Sequence, residues 1–294
     1  MVQRFFCDRC GKSFSESQPL QGVCIETKKV EQVVHLLVEG MGIRAISRVA
    51  GLDTKTILKI LEIAGQKAAV YSDAHVRNVK PEMVQADEMH VMVNCREQNN
   101  VNHVEDFGSQ FMFLAIDRHS KLIISSLIGR RTRENADRFM GDLKSRVTTR
   151  FQLTTDNWKT YSGYGESSVM AAFGRDIDYA IEKKIFAQPN QFQPRMVVGL
   201  YRKVRIGNPD MNEATINHCE RTNLSVRLFT KRFARCTLCY SKKIENLRRA
   251  AALFAWHFNF VRVHSTLAQT PAQSAGIAQN AMTIAELLNS VSQC

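Results

Sequence analysis

The spacing of apolar residues changes period at Lys80-Pro81, and that change predicts an all-α segment followed by an α/β one. Before it, apolar residues recur three and four apart. Val30, Val33, Val34, Leu37 and Val38 share one helical face, which Gly40-Met41-Gly42 breaks. Ile43, Ile46, Val49 and Ala50 form a second face that stops at Gly51. Asp53 can cap a third helix carrying Ile57, Ile60, Leu61 and Ala64. Two short helices joined through a glycine turn predict a helix-turn-helix over 26–68. Its last helix would offer Lys55, Thr56 and Lys59 to a DNA major groove. An ordinary small helical bundle is the plainer alternative. The mixed, polar stretch 69–81 reads as a linker.

Beyond Pro81 the pattern turns β-rich. Met83 to Val93 reads as a strand, and two apolar runs, Phe111 to Ile116 and Leu122 to Ile128, flank Asp117-Arg-His-Ser-Lys121 as a hairpin. Ala136, Phe139, Met140, Leu143 and Val147 space as a helix, and Phe151 to Thr155 is a short strand ending at Asp156. A helix over about 241–259 follows, then short helices opened at Thr270-Pro271 and at the capping box Thr283-Ile-Ala-Glu286. Three strands, a helix, a strand and later helices predict an α/β domain with a mixed sheet over 82–268 and a C-terminal helical tail over 269–294.

The net charge of +12 and pI near 9.5 favour an acidic polymer as partner. No apolar run approaches the roughly 20 residues of a membrane helix, and no secretory signal is visible. The eight Cys form no disulfide-like framework, so a reducing cytoplasm is expected, with thiols free or metal-bound. Cys7-x2-Cys10, followed by Gly and flanked by aromatics, has the shape of a zinc knuckle over 1–25. Cys24 is a possible third ligand; the remaining half of such a site either precedes Met1 or the site is vestigial. Cys236-x2-Cys239 has similar spacing without an obvious partner pair, and a four-thiolate site shared with Cys7 and Cys10 remains open.

The candidate chemistry rests on Asp87, Asp156 and Glu220. Asp87 falls inside an apolar strand, where an unpaired charge is costly. Asp156 falls at a strand end, where α/β sheets place their sites. Glu220 opens a helical stripe with Asn223, Arg227 and Lys231, while Cys219, Val226, Phe229 and Phe233 gather on another side. Three carboxylates suit Mg²⁺ or Mn²⁺, and a pair of such ions suits phosphodiester chemistry. Glu88, Asp106 and Asp117 compete for the role. Asp117 has a ready place as a turn residue, and Glu88 points away from Asp87, toward solvent or into supporting contacts. Basic residues crowd nearby: Arg130 and Arg131 after the third strand, then Arg227, Lys231, Arg232, Arg235, Lys242 and Lys243. They are interleaved with Phe229, Phe233 and Tyr240, which favours phosphate contacts over a merely solvated face. His218, His257 and His264 have no decisive role.

These residues stand in an order that resembles a family. The knuckle and helix-turn-helix precede Ala-Asp87-Glu-Met, Thr-Thr-Asp156-Asn-Trp-Lys-Thr-Tyr161, Glu220-Arg-Thr-Asn-Leu-Ser-Val-Arg227 and Asn259-Phe-Val-Arg-Val-His264-Ser-Thr-Leu. The chain resembles, over nearly its whole length, the DDE transposases of bacterial insertion sequences, most of all the insertion-sequence-one family. It departs from their pattern at Asn157 and His90 and lacks the first half of the zinc ribbon. The resemblance implies an RNase H-like catalytic domain with Asp87, Asp156 and Glu220 as the metal-binding triad, and an N-terminal region that recognises terminal inverted repeats. It further implies double-stranded DNA as partner, a homo-oligomer holding two element ends, and a nucleoid-associated, cytoplasmic protein. Cleavage would free 3′-hydroxyls that then attack target DNA. The alternatives are a catalytically inactive or repurposed DNA-binding protein, and a structure-selective nuclease.

Overall fold

The structure, a computed structural model, describes residues 4–11, 13–15, 20, 22–163, 167–187, 196–235 and 237–290. A small hairpin, β1 (Arg4–Phe6) and β2 (Ser13–Ser15), precedes three helices: α1 (Thr27–Val38), α2 (Ile43–Ala50) and α3 (Thr54–His75). Gly51, at φ 63°, ends α2 in the left-handed conformation, and the Asp53 carboxylate accepts the Lys55 N–H at 2.7 Å to start α3. The three apolar faces read from the sequence meet one another, with Val30, Val33, Val34, Ile46, Ile57, Ile60 and Leu61 buried together.

The rest of the chain builds a mixed α/β layer. Strands β3 (Met83–Val93), β4 (Gly108–Asp117), β5 (Ile123–Gly129), β6 (Gln152–Thr155), β7 (Asp178–Phe186) and β8 (Val197–Ile206) form a six-stranded sheet in the order β5-β4-β3-β6-β7-β8. β3, β6 and β7 are parallel neighbours; the other pairings are antiparallel. Helices α4 (Arg133–Arg146), α5 (Lys159–Ser162), α6 (Ser168–Phe173), α7 (Asn217–Phe229) and α8 (Ile244–Trp256) accompany it, while α9 (Pro271–Ser274) packs on the turn after α8 and α10 (Ile284–Asn289) on α1 and α3. This arrangement is compatible with an RNase H-like fold. Among the described residues, no helix is long and apolar enough to cross a membrane.

Alternation along β3 sorts its side chains between two cores. Val84 and Ala86 join α3, α4 and β6 on one face, while Met89, Val91 and Val93 join α7 and α8 on the other. Helix α8 serves both: Leu247, Ala251 and Phe254 cover the sheet, and Ala250, Leu253 and Trp256 meet the core shared with α3. The stretch 69–81, expected as a linker, differs from that reading. Its first part completes the last two turns of α3, and Val79 bridges Val147 beside α4. Val76 and Val79, just past the helix, are buried, so this stretch packs on the protein and removes apolar surface from water, which a solvated linker would not.

Helices α3 and α8 approach closely at Gly65, where an added Cβ would fall 2.6 Å from the Arg249 carbonyl oxygen. A side chain there must part the helices. Gly65→Ala is expected to destabilise the protein by about 1–3 kcal/mol despite alanine's better helix propensity. Denaturant unfolding of the two proteins measures this directly, and an unchanged or raised midpoint would contradict the close approach.

Candidate functional site

Helix α7 begins without a capping side chain of its own, so its first amides are served by the sheet. The buried Gln85 of β3 accepts the N–H groups of His218 and Cys219 through Oε1, at 2.9 and 3.1 Å. The buried Glu182 of β7 accepts the Ile216 N–H at 3.3 Å and is itself paired with Arg202 at 2.9 Å. Two residues farther along the same faces, the sheet touches α7 again. Asn223 Nδ2 donates to Asp87 Oδ2 at 2.9 Å, and Lys184 Nζ reaches both carboxylate oxygens of Glu220. The parity of a strand produces this repeat: Gln85 and Asp87 share one face of β3, Glu182 and Lys184 one face of β7.

Asp156 follows β6, whose Thr155 is the register partner of Ala86, the residue before Asp87. One Asp156 oxygen accepts the Trp158 N–H at 2.9 Å and the other pairs with Arg131 at 3.0 Å. The three acids expected from the sequence therefore come from adjacent strands and the first turn of α7, and they feel one another. Burial, then the charges of Asp156 and Glu220, push the Asp87 carboxyl up to about 7. Among the described residues, no three His, Cys, Asp or Glu side chains are gathered closely enough to hold an ion as they stand. Each of the three acids instead faces a basic or amide partner. The donor set is nonetheless three hard carboxylates with mutual repulsion on the most buried one, which fits a divalent cation of the Mg²⁺ or Mn²⁺ kind.

Of the two places expected for Glu88, solvent or supporting contacts, the structure gives it the second. Its side chain is 1% exposed and pairs with Arg131 at 2.9 Å, so one guanidinium bridges Glu88 and Asp156. That guanidinium also lies 4.4 Å from the centroid of the Trp158 ring. Burial, then the Asp156 charge, raises the Glu88 carboxyl to about 8. Asp117 takes the turn role expected of it, accepting the Ser120 N–H at 3.0 Å.

The basic residues divide. Arg130, expected on DNA, is turned into the protein: its guanidinium donates to the carbonyls of Glu105 and Phe107, each at 2.9 Å, and pairs with Glu97 at 3.0 Å. Those carbonyls belong to the segment before β4, and Gln110 of β4 donates to the first of them at 2.8 Å. Arg227 donates to the Phe233 carbonyl at 3.3 Å, and Arg232 to Ser241 Oγ at 2.9 Å. The expected stripe is cut short because α7 stops at Phe229; Thr230 is extended and Lys231 begins a separate 3₁₀ turn. Lys231, Arg235, Lys242 and Lys243 are exposed, as are Lys55 and Lys59 on α3, with Thr56 half-buried between them. Lys59 makes an exposed pair with Glu62 at 3.3 Å.

Cys7 and Cys10 occupy the connection between β1 and β2, and hydrogen bonds from Cys10 and the Arg9 amide hold the Cys7 thiol below its ordinary range. Cys24 and Cys239 are exposed free thiols, and Cys236 lies outside the described residues. Sequence reasoning passed over Gln85, Glu182, Lys184 and both strands of the β7–β8 ribbon. The runs Asp178–Phe186 and Val197–Ile206 are β-rich and flank a Gln- and Pro-containing stretch, a signal that could have revealed them. Two clefts, of about 290 and 690 Å³, run along the outer side of β5 among α3, α4 and α8; none of the three acids lines them.

No protein-family model matches this chain, and no curated protein matches it in sequence. Among solved structures, it is similar to a piggyBac transposase synaptic complex with hairpin DNA, at TM-score 0.39 and 10% identity, over 90% of this chain and 70% of that one.

The two raised carboxyls carry a stability signature. An acid whose folded pKa lies above its unfolded value binds more protons when folded, so its contribution to stability declines as pH climbs between the two values. For Glu88 that window runs from the ordinary glutamate range to about 8. Glu88→Gln removes the titration while keeping shape and a hydrogen-bonding partner for Arg131. The difference in unfolding temperature, variant minus wild type, is expected to be more positive at pH 8 than at pH 5. Thermal unfolding at the two pH values reads it, and an equal difference at both would refute the burial assignment.

Proposed function

We propose that this protein is a transposase-type enzyme that cuts and rejoins DNA, built on an RNase H-like core. The observation that carries the reading is the placement of Asp87 in mid-β3, Asp156 at the end of β6 and Glu220 in the first turn of α7, near enough that the charges of the other two acids raise Asp87. In this reading the three carboxylates hold Mg²⁺ or Mn²⁺, which when bound activates the attacking oxygen and stabilises the leaving one at a phosphodiester. The chain's own residues position the reactants. Asn223 fixes the orientation of Asp87, Arg131 that of Asp156, and the sheet anchors of α7 that of Glu220. Exposed Lys231, Arg235, Lys242 and Lys243 track the DNA backbone near the acids, and the first turns of α3 bind the element ends through Lys55, Thr56 and Lys59. Zinc at Cys7 and Cys10, a homo-oligomer bridging two ends, and a nucleoid location belong to the same reading. The basic charge of +12 supports DNA as partner.

A second reading, a DNA-binding protein without catalysis, draws on the internal pairing of every acid. The two differ in one assay. Labelled duplex carrying the sequence that flanks the coding region is incubated with protein and Mg²⁺ or Mn²⁺. The enzyme reading expects strand cleavage and joining of the freed 3′ ends to a second duplex. Asp87→Asn or Glu220→Gln should lower cleavage on the order of a thousandfold or more, since metal-borne charge stabilisation is worth several kcal/mol, while leaving DNA binding in place. Binding with no cleavage in any protein would favour the second reading; cleavage without joining would indicate a nuclease.

The backbone-tracking role has its own measure. Replacing Lys242 and Lys243 together by Ala is expected to lower the slope of log affinity against log salt by about 2, one for each phosphate no longer neutralised. A slope equal to that of the wild type would remove these two residues from the DNA track.

A further inference from the structure

Lys184 and Arg131 both neutralise an acid of the site, yet they are held very differently. Arg131 is shared between Glu88 and Asp156 and lies against Trp158. The ion pair the structure gives Lys184 is with one acid, Glu220, at side-chain exposures of 26% and 36%; Arg131 is no less exposed, at 34%, but has two acids and a ring to hold it. The Lys184 backbone is also lightly supported. β6 pairs with β7 only from Asp178 to Ile181, so from Glu182 to Phe186 the strand has β8 alone beside it, and Lys184 faces Leu200 in that two-stranded ribbon. A two-stranded ribbon is weak support by itself, and a partly exposed ion pair is weakly held. The Lys184 ammonium contacts both oxygens that Glu220 would offer to a cation.

Resting on the metal reading above, we propose that Lys184 is a built-in latch: it occupies Glu220 in the DNA-free protein, competes with the divalent cation, and moves to a phosphate when DNA arrives. Nothing covalent changes; one ion pair is exchanged for another. A DNA phosphate that draws the ammonium away frees both oxygens of Glu220, so DNA and cation each favour binding of the other, and the coupling is reciprocal. The latch also keeps Glu220 neutralised when no DNA is present, which limits loading of the metal away from substrate. Lys184 is thus a positioning residue, and its removal should strengthen one property while weakening another, which a lysine that only stabilises the fold would not do.

The experiment measures Mn²⁺ binding to the full chain by electron paramagnetic resonance, with and without a short duplex. The proteins are wild type, Lys184→Met, Lys184→Arg and Glu220→Gln, and circular dichroism checks that each is folded. Without DNA, Lys184→Met is expected to bind Mn²⁺ more tightly, by up to about fivefold, the equivalent of one partly exposed ion pair. Lys184→Arg should stay near the wild type, and Glu220→Gln should lose affinity. Duplex DNA should tighten Mn²⁺ binding to the wild type and have little effect on Lys184→Met. Unchanged or weaker binding by Lys184→Met, with the wild type and Glu220→Gln behaving as stated, overturns the latch and leaves the metal site standing. Should Mn²⁺ bind none of the proteins, or ignore Glu220→Gln, the metal reading fails and the latch fails with it. If Lys184→Met does not fold, Lys184→Gln takes its place in the same comparison.

Discussion

The N-terminus of α7 is fastened to the sheet by two buried polar side chains, and the place of Glu220 relative to the acids of the sheet depends on that fastening. Gln85 and Glu182 are each 1% exposed and sit on strands separated by β6. Together they receive the amides of Ile216, His218 and Cys219. Amides at a helix start must find an acceptor, and in a dry place an acceptor must find them, so neither side can relax without leaving a buried group unpaired. A helix held at two points on two strands has little freedom to roll. Glu220 and Asn223 then lie where the roll angle puts them, over β7 and β3. Glu220 also gains from its place in the first turn of α7, where the helix dipole favours negative charge. The support beneath the site is made of hydrogen bonds from buried strand side chains rather than of loops, and it still leaves Gln85 Nε2 and Asn223 Oδ1 buried without a hydrogen-bond partner.

That support coexists with an unfavourable charge arrangement. Asp87 and Glu88 are neighbours in sequence, sent to opposite faces of β3, and both are raised by burial and by Asp156. A sheet interior has no reason to accept two carboxylates for stability alone. The fold offsets the strain with one fixed guanidinium, Arg131, between Glu88 and Asp156. On the Asp87 side the neutralisation is slighter, an amide from Asn223, and the most buried acid of the three is the least compensated. Charge that the protein leaves partly uncompensated is charge that a ligand can compensate, which is why perturbed acids and functional sites coincide.

What could be read from the chain was local, and what could not was a pairing across distance. Asp53 at the start of α3, the helix start at Thr270-Pro271, the capping box at Thr283 and the strand Met83–Val93 are settled largely by near neighbours in sequence, and each stands as the sequence suggests. Asp87, Asp156 and Glu220 were legible as candidates because acids amid apolar or basic surroundings stand out. Their partners were not. Arg130 and Arg131 are adjacent in sequence and carry the same charge; only the position of the segment over Val104–Phe107 turns the first inward, and only Glu88 and Trp158 engage the second. Gln85 and Glu182 look like ordinary polar strand residues, since nothing in their spacing tells of a helix end more than thirty residues away. The stripe after Glu220 failed for a different reason: helical pitch was extended past Phe229, where Thr230 adopts an extended backbone.

The continuity of α3 has a consequence for how recognition and chemistry are joined. A flexible linker over 69–81 would let an N-terminal module hold DNA at many distances from the acids. The structure has instead a helix of 22 residues, on the order of 33 Å long, whose first turns expose Lys55 and Lys59 and whose later turns lie against α8 at Gly65. Helix α8 in turn covers the face of the sheet on which α7 lies. Under the proposed reading, a duplex held by the start of α3 is therefore held at a fixed offset from Asp87, and the offset is set by helix packing rather than by chain entropy. Such rigidity favours one register of cleavage relative to the bound sequence. It also means that adjustment to a bent or distorted strand falls to the DNA and to the β7–β8 ribbon, the lightly supported part of the sheet, and that ribbon is where Lys184 resides.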